Sequence, residues 1–231
     1  MPRRPRPGQT ERSEHWMRVA VNECTEALNA RIAELFGWGS GESIHWLSPV
    51  VEDEYAEYFD GEFLQRLGLP PLAVSLSTFW PASGPRWDGL AKTSSGKILL
   101  VEAKAYVEEA VDYRSHAGSE SLGRIHAALA EAKQAFGAAL DAPWPSPFYQ
   151  YANRLAHLYF LRERNGLDAY LLFLNCADAP DVPEPCSVEQ WRGANRLVKK
   201  CLGLGAHPYR DRVGTMIWSV PEMLTQQGRR S

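Results

Sequence analysis

The sequence predicts an α/β fold built on one mixed sheet. Three observations carry that expectation. Apolar residues recur at spacings of three and four over several long segments, the helical period. Apolar runs such as "KILLVEAKAY" (97–106) and "LDAYLLFLNCA" (167–177) read as buried strands. Along the chain these alternate as helix, helix, three strands, helix, helix, strand, helix, strand.

The elements follow in order. "MPRRPRPGQTER" (1–12) is rich in arginine and proline and reads as a disordered basic tail ahead of a single domain over 13–231. No apolar segment follows its arginines, so it does not read as a secretion signal. From Ser13 to Phe36 one helix is expected, with Met17, Val21, Cys24, Leu28, Ile32 and Leu35 on its apolar stripe. The glycines of "GWGSGES" (37–43) end it. An acidic, aromatic-rich helix follows the Ser48-Pro49 turn and stops at Gly68 and Pro70. "LAVSLSTFW" (72–80), "RWDGLAK" (86–92) and 97–106 are expected strands. Helices are expected over 119–140, 148–164 and 188–202, and strands over 167–177 and 214–220.

Composition sets outer bounds. The 231 residues are 45% hydrophobic and 23% charged, enough for a sizeable core. A net charge of -3 gives no overall basic field, so contact with nucleic acid would need a local patch. Cys24, Cys176, Cys186 and Cys201 form no Cys-x-x-Cys pair and no zinc signature. Scattered reduced thiols fit a cytoplasmic protein. No apolar run approaches the ~20 residues of a membrane span.

The chemistry gathers at one hairpin. Ser94-Ser95-Gly96 suits a three-residue loop with Gly at its left-handed position. Thr93 then pairs with Lys97, Asp88 falls opposite Glu102, and Arg86 falls opposite Lys104. Alternation puts all four on one face. Two facing carboxylates repel, and more so beside a hydrophobic sheet. A divalent cation bridging them would relieve the repulsion, and hard oxygen donors select magnesium or manganese. Lys104 adds a positive charge where a phosphate or nucleophile would sit. The same tripeptide, Glu-Ala-Lys, recurs at 131–133. There it lies in a helical pattern, where residues two apart diverge, and it reads as solvated surface.

Asp88, then Glu102-Ala103-Lys104 at the end of an apolar strand, resembles the signature of the PD-(D/E)XK, or restriction-endonuclease-like, nuclease superfamily. The resemblance covers roughly residues 72–175. The family's Pro-Asp is Trp87-Asp88 here, with Pro85 three before the Asp. It implies a restriction-endonuclease-like mixed sheet flanked by helices. It also implies a metal-dependent hydrolase of phosphodiester bonds, an endonuclease or other nuclease acting on DNA ahead of RNA. By resemblance, Asp88, Glu102 and the carbonyl of Ala103 would hold Mg²⁺ or Mn²⁺, and Lys104 would position the attacking water. A catalytically inactive binding or interaction module on the same fold is the alternative. Oligomeric state is left open.

Gln150, Asn153, Arg154 and His157 form a polar stripe at a spacing that usually faces a core. Gln150 is a catalytic candidate that would orient water, and Asn153 and Arg154 are candidates for substrate contact. In branches of the family a Gln on this helix is followed by a Tyr four later, and position 154 is Arg here. His157 is expected to be structural. The resemblance implies a further acid on the first helix, for which Glu23 is the candidate and Glu54 and Glu57 compete. Glu108 and Glu109 read as a solvated turn. Arg192, Arg196, Lys199 and Lys200 share a helical spacing and read as an exposed face able to track a phosphate backbone. Tryptophans such as Trp46, Trp80, Trp87 and Trp144 are expected in packing roles.

Overall fold

Residues 2–4, 12–111 and 118–227 are described by the structure, a computed structural model. Five strands form one sheet in chain order: β1 (Ile44–Ser48), β2 (Gly89–Thr93), β3 (Ile98–Lys104), β4 (Ala169–Ala177) and β5 (Val213–Ser219). The β1–β2 and β2–β3 pairs are antiparallel, and β3–β4 and β4–β5 are parallel. The sheet is thus mixed, as the element order predicts. Parallel neighbours need long crossovers, and helices supply them here. They are α5 (Ser119–Ala135) and α6 (Tyr149–Tyr159) between β3 and β4, and α7 (Val188–Cys201) between β4 and β5.

The hairpin register agrees with the loop chemistry. Gly89 pairs with Val101 and Lys92 with Ile98, and the Thr93 N–H donates to the Lys97 carbonyl at 2.9 Å. Gly96 sits at φ 88°, the left-handed position the loop demands. Gly89 has a second constraint, because a Cβ there would lie 2.5 Å from the Met17 methyl. Its absence lets the first helix approach the sheet beside Asp88.

The strand period divides the core into two layers. Leu99, Val101 and Ala103 of β3 pack with α1 (Arg12–Asn22) and α2 (Thr25–Phe36). Ile98 and Leu100 point to the other face, against α5 and α6. Glu102 and Lys104 continue that second row, so they occupy positions that hydrophobic residues fill lower on the strand. All seven residues of β3 are buried.

Several expectations are corrected. The predicted strand over 72–80 is a loop and a short helix, α4 (Leu76–Phe79). The place beside β2 is taken by β1, over 44–48, which the sequence reading left unassigned. Phe79 and Trp80 instead bury their rings beside His157, 4.8 Å from Trp80. The single helix over 13–36 is two, because Cys24 departs from helical angles and its N–H reaches back to the Val19 carbonyl at 3.2 Å. Met17 and Leu28, on either side of the break, both enter the same core layer. The acidic helix after Pro49 reduces to a turn at Val51–Asp53 and α3 (Asp60–Arg66), with left-handed backbone at Glu54, Tyr55 and Asp60 between them. α5 ends at Ala135, and beyond Tyr159 the helix of α6 widens over Phe160–Arg164. A short α8 (Val220–Leu224) follows β5 and was not expected.

Of the expected disordered tail, residues 5–11 lie outside the described ones. Arg3 is ordered, exchanging backbone hydrogen bonds of 3.0 and 2.8 Å with Glu57. No helix among the described residues is long and apolar enough to cross a membrane. All four cysteines are free thiols.

Candidate active site

A cleft of about 870 Å³ opens at the C-terminal end of β3. Asp88, Glu102, Lys104, Gln150, Asn153 and Arg154 all line it. In open sheets of this kind, crevices beyond the carboxyl ends of parallel strands are where ligands bind.

The local geometry starts from where β2 begins. Trp87 turns away from β3 and its N–H donates to the Tyr58 carbonyl at 3.1 Å. Trp87 is therefore not paired with Ala103 of β3, and its carbonyl does not accept the Ala103 N–H. The Asp88 carboxylate replaces it, accepting the Ala103 N–H at 2.7 Å. In a strand, the N–H and C=O of one residue point to the same side. The Ala103 carbonyl therefore faces the same side as Asp88.

Glu102 is the centre of the charge cluster. Lys104 Nζ donates to its Oε1 at 2.5 Å, and Arg154 Nε donates to its Oε2 at 2.6 Å. Arg154 also donates to the Arg86 carbonyl at 2.9 Å and lies over the Trp87 ring, 5.0 Å from its centroid. Relative exposures of 2% for Glu102, 7% for Lys104 and 6% for Arg154 mark a buried ion triad, in which every charge needs its partner. Burial alone would raise the Glu102 pKa, but the Arg154 and Lys104 charges outweigh it and hold the carboxyl below its ordinary range. Burial would likewise lower Lys104, but Glu102 and Asp88 raise it.

Asp88 has the opposite bias. Burial and the Glu102 charge push its carboxyl well above the ordinary range, although Lys104 and the Ala103 N–H pull the other way. It is only half-buried and stays open to the cleft. The two carboxylates therefore differ: one is saturated by cations, the other is under-compensated and accessible.

Three further residues belong to the site. Glu57 lines the cleft, and burial, then the Glu14 charge, raise it to about 7. Arg86 approaches it at 3.8 Å. Glu109 accepts the Ala105 N–H at 2.7 Å and also lines the cleft, which corrects its reading as a solvated turn residue. Burial raises its pKa. Its signal in the sequence was position, five residues beyond the end of β3, where a carboxylate can fold back onto the backbone just past the strand.

Of the three competing acids, only Glu57 reaches the cleft. Glu23 instead accepts a hydrogen bond from Gln227 Nε2 at 2.6 Å, and Glu54 pairs with Arg4 at 3.0 Å. In the polar stripe of α6, Asn153, Arg154 and His157 are buried and Gln150 is half-buried at the cleft, so the stripe is not a solvated face. His157 is fully buried, hydrogen-bonded from Nδ1 to the Asn153 carbonyl, and pushed down to about 3 by burial, which fits a structural role. Asn153 leaves its Oδ1 buried without a partner. Arg154 directs its guanidinium at Glu102 rather than into the open cleft.

No cluster of three or more His, Cys, Asp or Glu side chains that could hold a metal ion occurs among the described residues. The donors that face the cleft edge are the Asp88 carboxylate, the Ala103 carbonyl and Glu102. These are hard oxygen ligands of the kind magnesium and manganese take. Asp88 and the Ala103 carbonyl lie on the same side of β3 and are of the right chemistry for such an ion. Glu102 would join only by exchanging one of its two cationic partners. No family model, curated protein or solved structure matches the chain.

Proposed function

We infer that the protein is a metal-dependent nuclease that hydrolyses phosphodiester bonds in nucleic acid, DNA ahead of RNA, on a restriction-endonuclease-like version of its mixed sheet. The observation that carries the reading is the convergence of Asp88, Glu102 and Lys104 on one cleft at the end of β3. The unequal electrostatics of the two carboxylates supports it. A cation bound at the open Asp88 would offset the Glu102 charge that helps push its carboxyl up, whereas Glu102 already has two cationic partners.

Asp88, the Ala103 carbonyl and Glu102 would hold Mg²⁺ or Mn²⁺. When bound, such an ion supplies Lewis-acid polarisation of the phosphate and acidifies water. The chain's own residues do the rest. Lys104 carries three donors and gives one to Glu102, leaving others to hold the attacking water or the charge developing on phosphate. Arg154 fixes Glu102 from the helix side and keeps its carboxylate ionised. Gln150, at the cleft wall, orients water or a phosphate oxygen. Glu57, with a pKa near 7, is suited to hold or release a proton at working pH.

One observation favours the second reading, a non-catalytic nucleic-acid-binding module. Both Glu102 oxygens already have cationic partners, so the triad is stable without metal. Manganese calorimetry and a cleavage panel of single- and double-stranded DNA and RNA separate the two. The nuclease reading expects Mn²⁺ binding that Asp88→Ala removes, with metal-dependent cleavage by the parent. Nucleic-acid binding without metal uptake or cleavage would establish the module instead.

A further inference from the structure

A second cavity lies on the far flank of α6. It holds about 170 Å³ and is walled by Tyr151, Phe173, Asn195, Lys199, His207 and Arg210, among others. Phe173 is the β4 neighbour of Glu102 in the sheet, so this cavity shares a sheet face with the active-site cleft. Tyr151 stands on α6 between Gln150 and Asn153, which line the cleft on the helix's other side.

Its charge is one-sided. Lys199, His207 and Arg210 line it, and no lining residue is acidic. Among the described residues neither Lys199 nor Arg210 has an ion-pair partner. Both are exposed at the cavity mouth. Two acids act on its walls from outside, Asp211 on His207 and Glu102 on Tyr151, and neither lines the space.

The walls also hold polar groups without partners. The Tyr151 hydroxyl and His207 Nδ1 are both buried with no hydrogen bond. Tyr151 is a hydrogen-bond donor stacked on Phe173, with ring centroids 4.4 Å apart, so its position is set by packing. An unpartnered buried hydroxyl is costly unless something satisfies it. Lysine and arginine supply charged donors, and the phenol and the imidazole, which burial and Lys199 hold towards its neutral form, can each donate one hydrogen bond more to a compact, multiply accepting anion.

We propose that this cavity is a phosphate-binding site, taking a phosphomonoester group on Lys199, Arg210, His207 and the Tyr151 hydroxyl. The inference does not depend on the nuclease reading. The group has two sources of the same chemistry, a free small phosphate ester or the 5′ end of a nucleic-acid strand.

The test is calorimetry of the full chain with inorganic phosphate. The parent binds saturably, and Lys199→Ala and Arg210→Ala each weaken binding about tenfold, the loss of one charge-assisted contact. Tyr151→Phe weakens binding about threefold yet raises the melting temperature in phosphate-free buffer, because it removes an unsatisfied buried hydroxyl. A merely structural tyrosine would not give those opposite effects. Asp88→Ala binds phosphate as the parent does. Displacement by a 5′-phosphorylated oligonucleotide but not by its 5′-hydroxyl form assigns the strand end, and displacement by neither assigns the free ester. A parent that takes up no phosphate overturns the proposal. So do Lys199→Ala and Arg210→Ala variants that bind undiminished, or tighter binding by Asp88→Ala, where losing a carboxylate would favour an anion held in the other cleft.

Discussion

The tripeptide Glu-Ala-Lys occurs at 102–104 and again at 131–133, and the fold gives the two copies opposite fates. In the first, the strand period sends Glu102 and Lys104 to the same side, where they meet at 2.5 Å in a buried cluster. In the second, on α5, residues two apart diverge. Glu131 turns to Tyr159 and Arg164, both at 3.3 Å and exposed, while Lys133 caps the loop carbonyl of Leu140 at 2.5 Å. Identical side chains thus give a charged site in a strand and ordinary surface on a helix. The difference comes from backbone period and burial, not from composition.

Neutralising the two glutamates should separate the copies most. Glu102→Gln leaves Lys104 and Arg154 buried beside a neutral amide, and such breaks cost about 3–5 kcal/mol. Glu131→Gln breaks only exposed contacts and should stay within about 0.5 kcal/mol of the parent. Urea unfolding of both variants measures the gap, and equal stabilities would break the comparison.

The pH dependence sharpens it within the cleft itself. Glu57 has a folded value of about 7 against an ordinary 4.5, so the folded state holds the extra proton between them. Stability therefore falls as pH rises through that window. Glu57→Gln should remove the fall and gain on the order of 2–3 kcal/mol over the parent above pH 7. Glu102 works in the other sense. Its carboxyl is held below the ordinary range, so its contribution is present above 4.5 and is lost as pH falls. Unfolding curves across this range should show both limbs, the Glu57 limb absent in the variant.

Lys133 also gives a small effect. Lys133→Ala loses bonds to the Leu140 and Ala142 carbonyls. An exposed contact of this kind is worth less than about 1 kcal/mol, a shift of a few degrees in melting temperature.

The hairpin was legible in the sequence because its register follows from local chemistry, a Gly at the one left-handed loop position. The position of β1 was not. Residues 44–48 and 72–80 both carry strand-forming side chains, and only long-range pairing with β2 decides between them. Of the site, Asp88, Glu102 and Lys104 were readable from alternation along two strands. Glu57 joins them through the turn after Pro49 and the bridge to Arg3, neither of which has a periodic signature. Arg154 was readable as a polar residue on a buried stripe. Its partner Glu102 was not, since nothing in the sequence orients α6 against β3.

The most direct measurement is manganese-dependent cleavage by Lys104→Ala set against Lys133→Ala, in single-turnover assays on whichever nucleic acid the parent cuts. The account predicts that Lys104→Ala loses about 10²–10³ in rate while still binding manganese, and that Lys133→Ala cuts at the parental rate. Cleavage by Lys104→Ala at the rate of Lys133→Ala would contradict it.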